Sequence, residues 1–138
     1  MCNKLHKGET FHLIPPSAVG WKIFRKTNNN KFIGMVAETY LLEEDEWIRW
    51  TNTLHYEWSK HPDAEYGFCA FPSLIEALDA LKEWKTEIGK WDPLTNYEVR
   101  KIEYNYGIGM FDSLEFDGTP RRFILFKNFR IIPRKKEL

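Results

Sequence analysis

Seven residues of this chain have types suited to holding a ligand: Arg25, Gly67, Phe68, Phe71, Ser73, Arg121 and Arg122. A guanidinium fork grips phosphate or carboxylate through two parallel hydrogen bonds, so the three arginines brought to one pocket would make an anion site. Gly67 lets backbone or ligand come close at the start of an apolar strand, with Phe68 and Phe71 beside it. Tyr40 and Ser73 add hydroxyls. No catalytic set accompanies them, for the chain lacks the glycine-rich phosphate loops, G-x-S-x-G, H-E-x-x-H and C-x-x-C. Cys2 and Cys69 stand at neither metal nor disulfide spacing, which suits a reducing compartment and a buried, structural Cys69. Glu115 and Asp117 fall in the loop FDSLEFDG, where solvation argues against acid–base work.

The elements that must position these groups follow from periodicity. In GWKIFRKTNNNKFIGMVAETYLL, Trp21, Ile23 and Arg25 alternate with Lys22, Phe24 and Lys26, and Asn28 to Asn30 supply a turn, predicting a hairpin whose second strand runs over 31–41. In EEDEWIRWTNTLHYEWSKHPDAE, Trp47, Trp50, Leu54 and Trp58 recur at helical spacing. A helix is expected there, opened by Glu43 to Glu46, closed by Pro62 and burying its tryptophan stripe. Tyr66 to Phe71 reads as a strand ended by Pro72. Ser73 then caps a helix with Glu76 three residues on, burying Leu74, Ala77, Leu78, Leu81, Trp84 and Ile88 and stopping at Gly89. YEVRKIEYNYGIGMF alternates as a strand, with a turn or bulge at YGIG. RRFILFKNFRIIP is a last strand, or two bent near Lys127 and Asn128, with Phe123, Leu125, Phe129 and Ile131 inward.

The fold expected is α+β over 1–138: a mostly antiparallel sheet of about five to seven strands with two main helices, residues 1–14 and 134–138 being loosely attached. A chain of 138 residues with 43% hydrophobic and 16% aromatic side chains can bury a core as one domain. It contains no run of roughly 20 apolar residues and no signal-peptide core, so a cytoplasmic protein without membrane contact is expected. Formal charge is zero overall but uneven. Residues 1–37 hold six basic and one acidic residue, 38–98 five and fourteen, and 99–138 nine and five. Basic ends could face an anionic partner across an acidic middle.

The order of a GWKIFR strand, a GFCAFPSLIEALDAL strand and helix, a VRKIEYNYG strand and an RRFILFKNFRII strand resembles the ADP-ribosyltransferase-like fold over residues 20–133. The chain also looks like small phage-associated proteins of unassigned function that share a glycine, aromatic, small, aromatic strand leading into a helix. The first resemblance implies a nicotinamide pocket beside Gly67 to Leu81, with Arg25 holding NAD. It also implies a glutamate opening a late strand, where RRFILF instead puts Arg122. A cation there opposes an oxocarbenium-like transition state. The function expected is therefore a non-catalytic binding or interaction protein on a transferase-like scaffold, of phage or mobile-element origin, with no cofactor. Its partner would be a protein or a small anionic or nucleotide ligand. The alternative is an ADP-ribosyltransferase or NAD glycohydrolase with Glu115 as displaced catalytic residue. A third reading is a nucleic-acid binder using Arg121, Arg122, Lys127 and RIIPRKKEL, which the acidic middle disfavours.

Overall fold

Two long strands frame the molecule: β8 (Asn96–Leu114) and β9 (Pro120–Ile131) pair antiparallel from Ile102↔Ile131 to Leu114↔Pro120. The computed structural model describes residues 4–6, 11–27, 29, 31–34, 41–50, 64–88, 96–114 and 120–134. On the other flank of β8 lies β3 (Ser17–Lys26), which turns at Thr27 into β4 (Phe32–Gly34). On the other flank of β9 lies β5 (Ile48–Arg49), giving the order β4-β3-β8-β9-β5. β2 (Phe11–His12) adds to β8, and β7 (Phe68–Ala70) to β9. A separate pair joins β1 (Lys4–His6) to β6 (Ala64–Tyr66). All strand pairs among the described residues are antiparallel.

The sheet curls into a half-barrel. Phe71, just past β7, exchanges two backbone hydrogen bonds with Trp21 of β3 at 3.0 and 2.7 Å, so the curl is stitched across its open side. Both faces are apolar as a result. One cluster gathers Phe24, Phe32, Phe68, Ile102, Tyr104, Ile124, Phe126, Phe129 and Ile131. The other places Ile23, Cys69, Phe71, Phe111, Phe123 and Leu125 under the helix α1 (Leu74–Ile88). Cys69 is buried, as its apolar neighbours implied.

Among the described residues there is one helix, not two. Residues 47–50 do not follow the helical spacing of their tryptophans: Ile48 and Arg49 pair with Phe129 and Asn128, and Trp50 N–H donates to Lys127 O at 2.7 Å. Trp50 is buried while Trp47 stays 44% exposed. Backbone pairing with β9 outweighs a local period here, because a strand edge offers hydrogen bonds that a short isolated helix must find within itself. Leu54, Trp58 and Pro62 lie outside the described residues, as do Tyr40, Gly89, Glu115 and Asp117.

The helix begins as its sequence requires. Glu76 N–H donates to Ser73 Oγ at 3.2 Å, the N-cap bond, and the Ser73 hydroxyl donates to Glu76 Oε2 at 2.6 Å. Its buried stripe is Ala77, Ala80, Leu81 and Trp84, whereas Leu74 and Leu78 are 44% and 50% exposed. Two alanines let the helix axis sit close to the sheet, which turns the bulkier leucines outward. No described helix is long and apolar enough to cross a membrane.

Gly67 serves a backbone approach: a Cβ there would stand 2.4 Å from Phe126 O and 3.2 Å from its carbonyl carbon. At Gly20 the nearest atom is the movable Cδ1 of Ile124 at 2.7 Å. Gly67→Ala should therefore lower stability by about 2–3 kcal/mol and Gly20→Ala by less, since overpacking against fixed backbone relaxes poorly. Urea denaturation midpoints of both variants check the order.

Candidate functional site

The arginines singled out from sequence do not meet. Arg25 pairs with Tyr97 near the start of β8, and Arg121 with Ser113 near its end. At about 3.3 Å per residue, these positions lie tens of ångströms apart along the strand. Arg121 and Arg122 face α1. Arg121, with its side chain 6% exposed, pairs with Asp79 and Glu83, and Arg122 Nε donates to Glu76 Oε1 at 2.8 Å. Burial works to lower the Arg121 pKa, but the hydrogen bonds and charges of Glu83 and Asp79 outweigh it and raise it. The Glu76 hydrogen bond heads the causes that raise Arg122. Gly67, Phe68 and Phe71 are buried in the sheet, and Ser73 is the helix cap. These residues are engaged in holding α1 and the curl together.

A different group of side chains surrounds an open hollow of about 410 Å³: Trp47, Ile48, Arg49, Asn105, Tyr106 and Asn128. Its floor is a product of register. Ser17, Asn105, Asn128 and Arg49 are successive cross-strand partners on β3, β8, β9 and β5. The neighbouring row, Ala18, Tyr104, Phe129 and Ile48, belongs to the buried cluster. Alternation therefore turns the polar row to the opposite face. With strands about 4.8 Å apart, Asn105, Asn128 and Arg49 form a polar track about 10 Å long.

Two aromatic rings stand beside this track. Tyr106 is 69% exposed, and its backbone is in the left-handed region at φ 56°. It opens the β-bulge between Gly107 and Gly109, where β8 gains a residue over β9. YGIG is thus a bulge within a strand. The bulge is pinned from the N-terminal side: Gly107 N–H donates to Pro16 O at 3.0 Å, and Tyr104 OH donates to Pro15 O at 3.1 Å. A Cβ at position 107 would stand 2.6 Å from Pro15 O, so only glycine admits that contact. Burial raises the Tyr104 pKa, keeping its phenol a donor. Trp47 is fixed from behind, where the Arg130 guanidinium covers one indole face at 5.4 Å while bonding Glu103 and Asp45.

The track carries unspent hydrogen-bonding capacity. Among the described residues, neither the Asn128 amide nor the Tyr106 hydroxyl nor Arg49 has a hydrogen-bond partner, and Arg49 has no ion pair. The other six arginines are engaged, five of them with carboxylates. The acidic run before Trp47 is largely neutralised: Glu43 by Lys31, Glu44 by Arg100 and Asp45 by Arg130. Asn105 accepts from Ser17 Oγ at 2.5 Å, which leaves its NH₂ available. No group of described residues has the spacing of a metal site.

Sequence reasoning passed over this hollow because it assigned Trp47 to a helix. A signal existed, however: Asn105 and Asn128 sit within strands rich in aromatic and β-branched residues, against the propensity of asparagine. Comparison with known proteins found no family model, curated protein or solved structure that matches this chain.

Two measurements test these assignments. Tyr106→Gly should raise unfolding stability by about 1 kcal/mol by relieving the left-handed strain, whereas Tyr106→Ala should bring no such gain. Calorimetric Tm values decide it. Burial acts to raise the Glu76 pKa, but hydrogen bonds from Arg122 and Ser73 with the Arg122 charge hold it below the usual 4.5. That contribution is complete above about pH 4.5 and lost as pH falls through the lower folded value. Glu76→Gln should flatten the fall of stability below pH 4.5, followed by urea denaturation at stepped pH.

Proposed function

We propose that this protein is a non-catalytic binding protein whose recognition site is the hollow between Trp47 and Tyr106. The observation that supports this most directly is Arg49, a guanidinium without a carboxylate partner among the described residues, beside two exposed aromatic rings and two side-chain amides. Sites for small molecules combine flat apolar contact with a few polar groups that fix orientation, in volumes of about 300–1,000 Å³. Tyr106 holds a costly backbone conformation while mostly exposed, and such strain clusters at ligand sites. The ligand is a small molecule, or a group of that size presented by a protein partner. A transferase-like scaffold of phage or mobile-element origin, working in the cytoplasm, remains the setting in which we place it.

The competing reading is ADP-ribosyl transfer or NAD hydrolysis. It calls for Arg25 and a carboxylate at one hollow. Arg25 lies at the far end of β8 from Arg122, which is tied to Glu76. Direct nucleic-acid binding through Arg121 and Arg122 would have to compete with the helix carboxylates that already hold them. Neither reading gains an observation comparable with the Trp47–Tyr106 hollow.

The test joins two measurements. Incubation with NAD should release no nicotinamide; release that disappears in Arg25→Ala would transfer the assignment to the enzyme. In parallel, a panel of small anionic and neutral ligands is titrated while the Trp47 indole N–H is followed by NMR, assigned with Trp47→Phe. At least one member should shift that signal in a saturable way. A panel that moves no resonance of Trp47 or Tyr106 rejects the site.

A further inference from the structure

We infer that the hollow takes a nucleotide unit, a flat base stacked on Trp47 and Tyr106 with its phosphate on Arg49. This rests on the reading of the hollow as the recognition site and adds the class of ligand. The chemistry of each wall selects it. Trp47 has one indole face covered by Arg130 and lines the hollow otherwise. Tyr106, mostly exposed on the bulge, supplies a second ring. Planar rings presented singly at a strand surface are stacking platforms for bases, each of which has a π-face.

The floor reads edges. Asn105 and Asn128 are directly opposite on β8 and β9, and a carboxamide offers both a donor and an acceptor, which matches the mixed edge of a base. Arg49 follows Asn128 in the same row at the β5 edge. Donors alone make up its guanidinium, which fits phosphate bidentately. A neutral sugar could stack on the rings and bond the amides, but it would leave the Arg49 charge without a counter-charge among the described residues. The two edge-reading amides and the anion handle thus follow one another along one polar row, with both rings lining the same hollow.

Free mononucleotide and the exposed end of a single strand share this chemistry. Calorimetric titration of the full chain with adenosine 5′-monophosphate, adenosine, a short single-stranded adenine oligonucleotide and maltose separates the cases, with the Trp47 indole signal locating each. The monophosphate should bind at Trp47 and exceed adenosine by roughly tenfold, the size of a charge-assisted contact. Arg49→Gln should remove that tenfold while leaving adenosine affinity unchanged, and circular dichroism confirms that the variant is folded. Trp47→Ala should weaken both ligands by about tenfold or more. An oligonucleotide tighter than the monophosphate, with a steeper salt dependence, assigns the single-stranded source; equal affinities assign the free nucleotide.

Maltose or another neutral member shifting Trp47 while the monophosphate does not would overturn the nucleotide inference and keep the recognition site. A monophosphate affinity indifferent to Arg49→Gln would also overturn it. Silence of Trp47 toward every probe would reject the site together with its ligand.

Discussion

The register between β8 and β9 is the constraint on which the other elements depend. Phe123 and Leu125 point to the helix-covered face, whereas Phe129 and Ile131, the same parity along the chain, belong to the opposite cluster. Strict period-two alternation forbids this unless the phase breaks between them. On β9 the phase changes between Phe126 and Phe129, around Lys127 and Asn128; on β8 the left-handed Tyr106 stands at the same level, and the register against β9 then shifts by one residue between Gly107 and Gly109. The hollow lies at the same level, where Tyr106, just before the bulge, is 69% exposed and lines it.

The sheet carries a buried apolar cluster on each face, and this leaves cations inside. Lys22 and Arg100 are direct cross-strand partners, 1% and 2% exposed. Like charges at such a position repel. Each is supplied with its own acceptors: Lys22 Nζ donates to Cys69 O at 2.9 Å and lies 5.9 and 5.8 Å from the rings of Phe24 and Phe129. Arg100 bonds Glu44 and Ile132 O and stacks on Phe32. Acceptors from β7, from residue 44 and from the chain after β9 are available only in this register. The pair therefore discriminates against slipped pairings, while contributing little as charge alone.

Helix and sheet are joined by a line of ion pairs. Arg121 and Arg122 open β9 and reach Asp79, Glu83 and Glu76 on one side of α1. Of these carboxylates Glu76 sits in the first turn of the helix, where negative charge is favourable, and Asp79 and Glu83 follow on the same side. The cations that looked most like an anion site thus secure the only described helix. The arginine left without a partner among the described residues, Arg49, stands instead on the two-residue edge strand β5.

Sequence alone determined what local physics controls. Ser73 and Glu76 specified the helix start, because capping acts within one turn. The alternation of residues 97–102 specified a strand and the apolar run of 121–133 one strand or two, while the glycines of YGIG pointed to a turn or a bulge, between which the pairing with β9 decided. Tertiary structure decided the rest. Whether Trp47 to Trp50 is helix or strand depended on an edge of β9 some 80 residues away in the chain, and a 3.6 period cannot register a distant backbone. The polar row of Asn105, Asn128 and Arg49 likewise exists only across three strands, since cross-strand register is a property of pairing and no single segment encodes it.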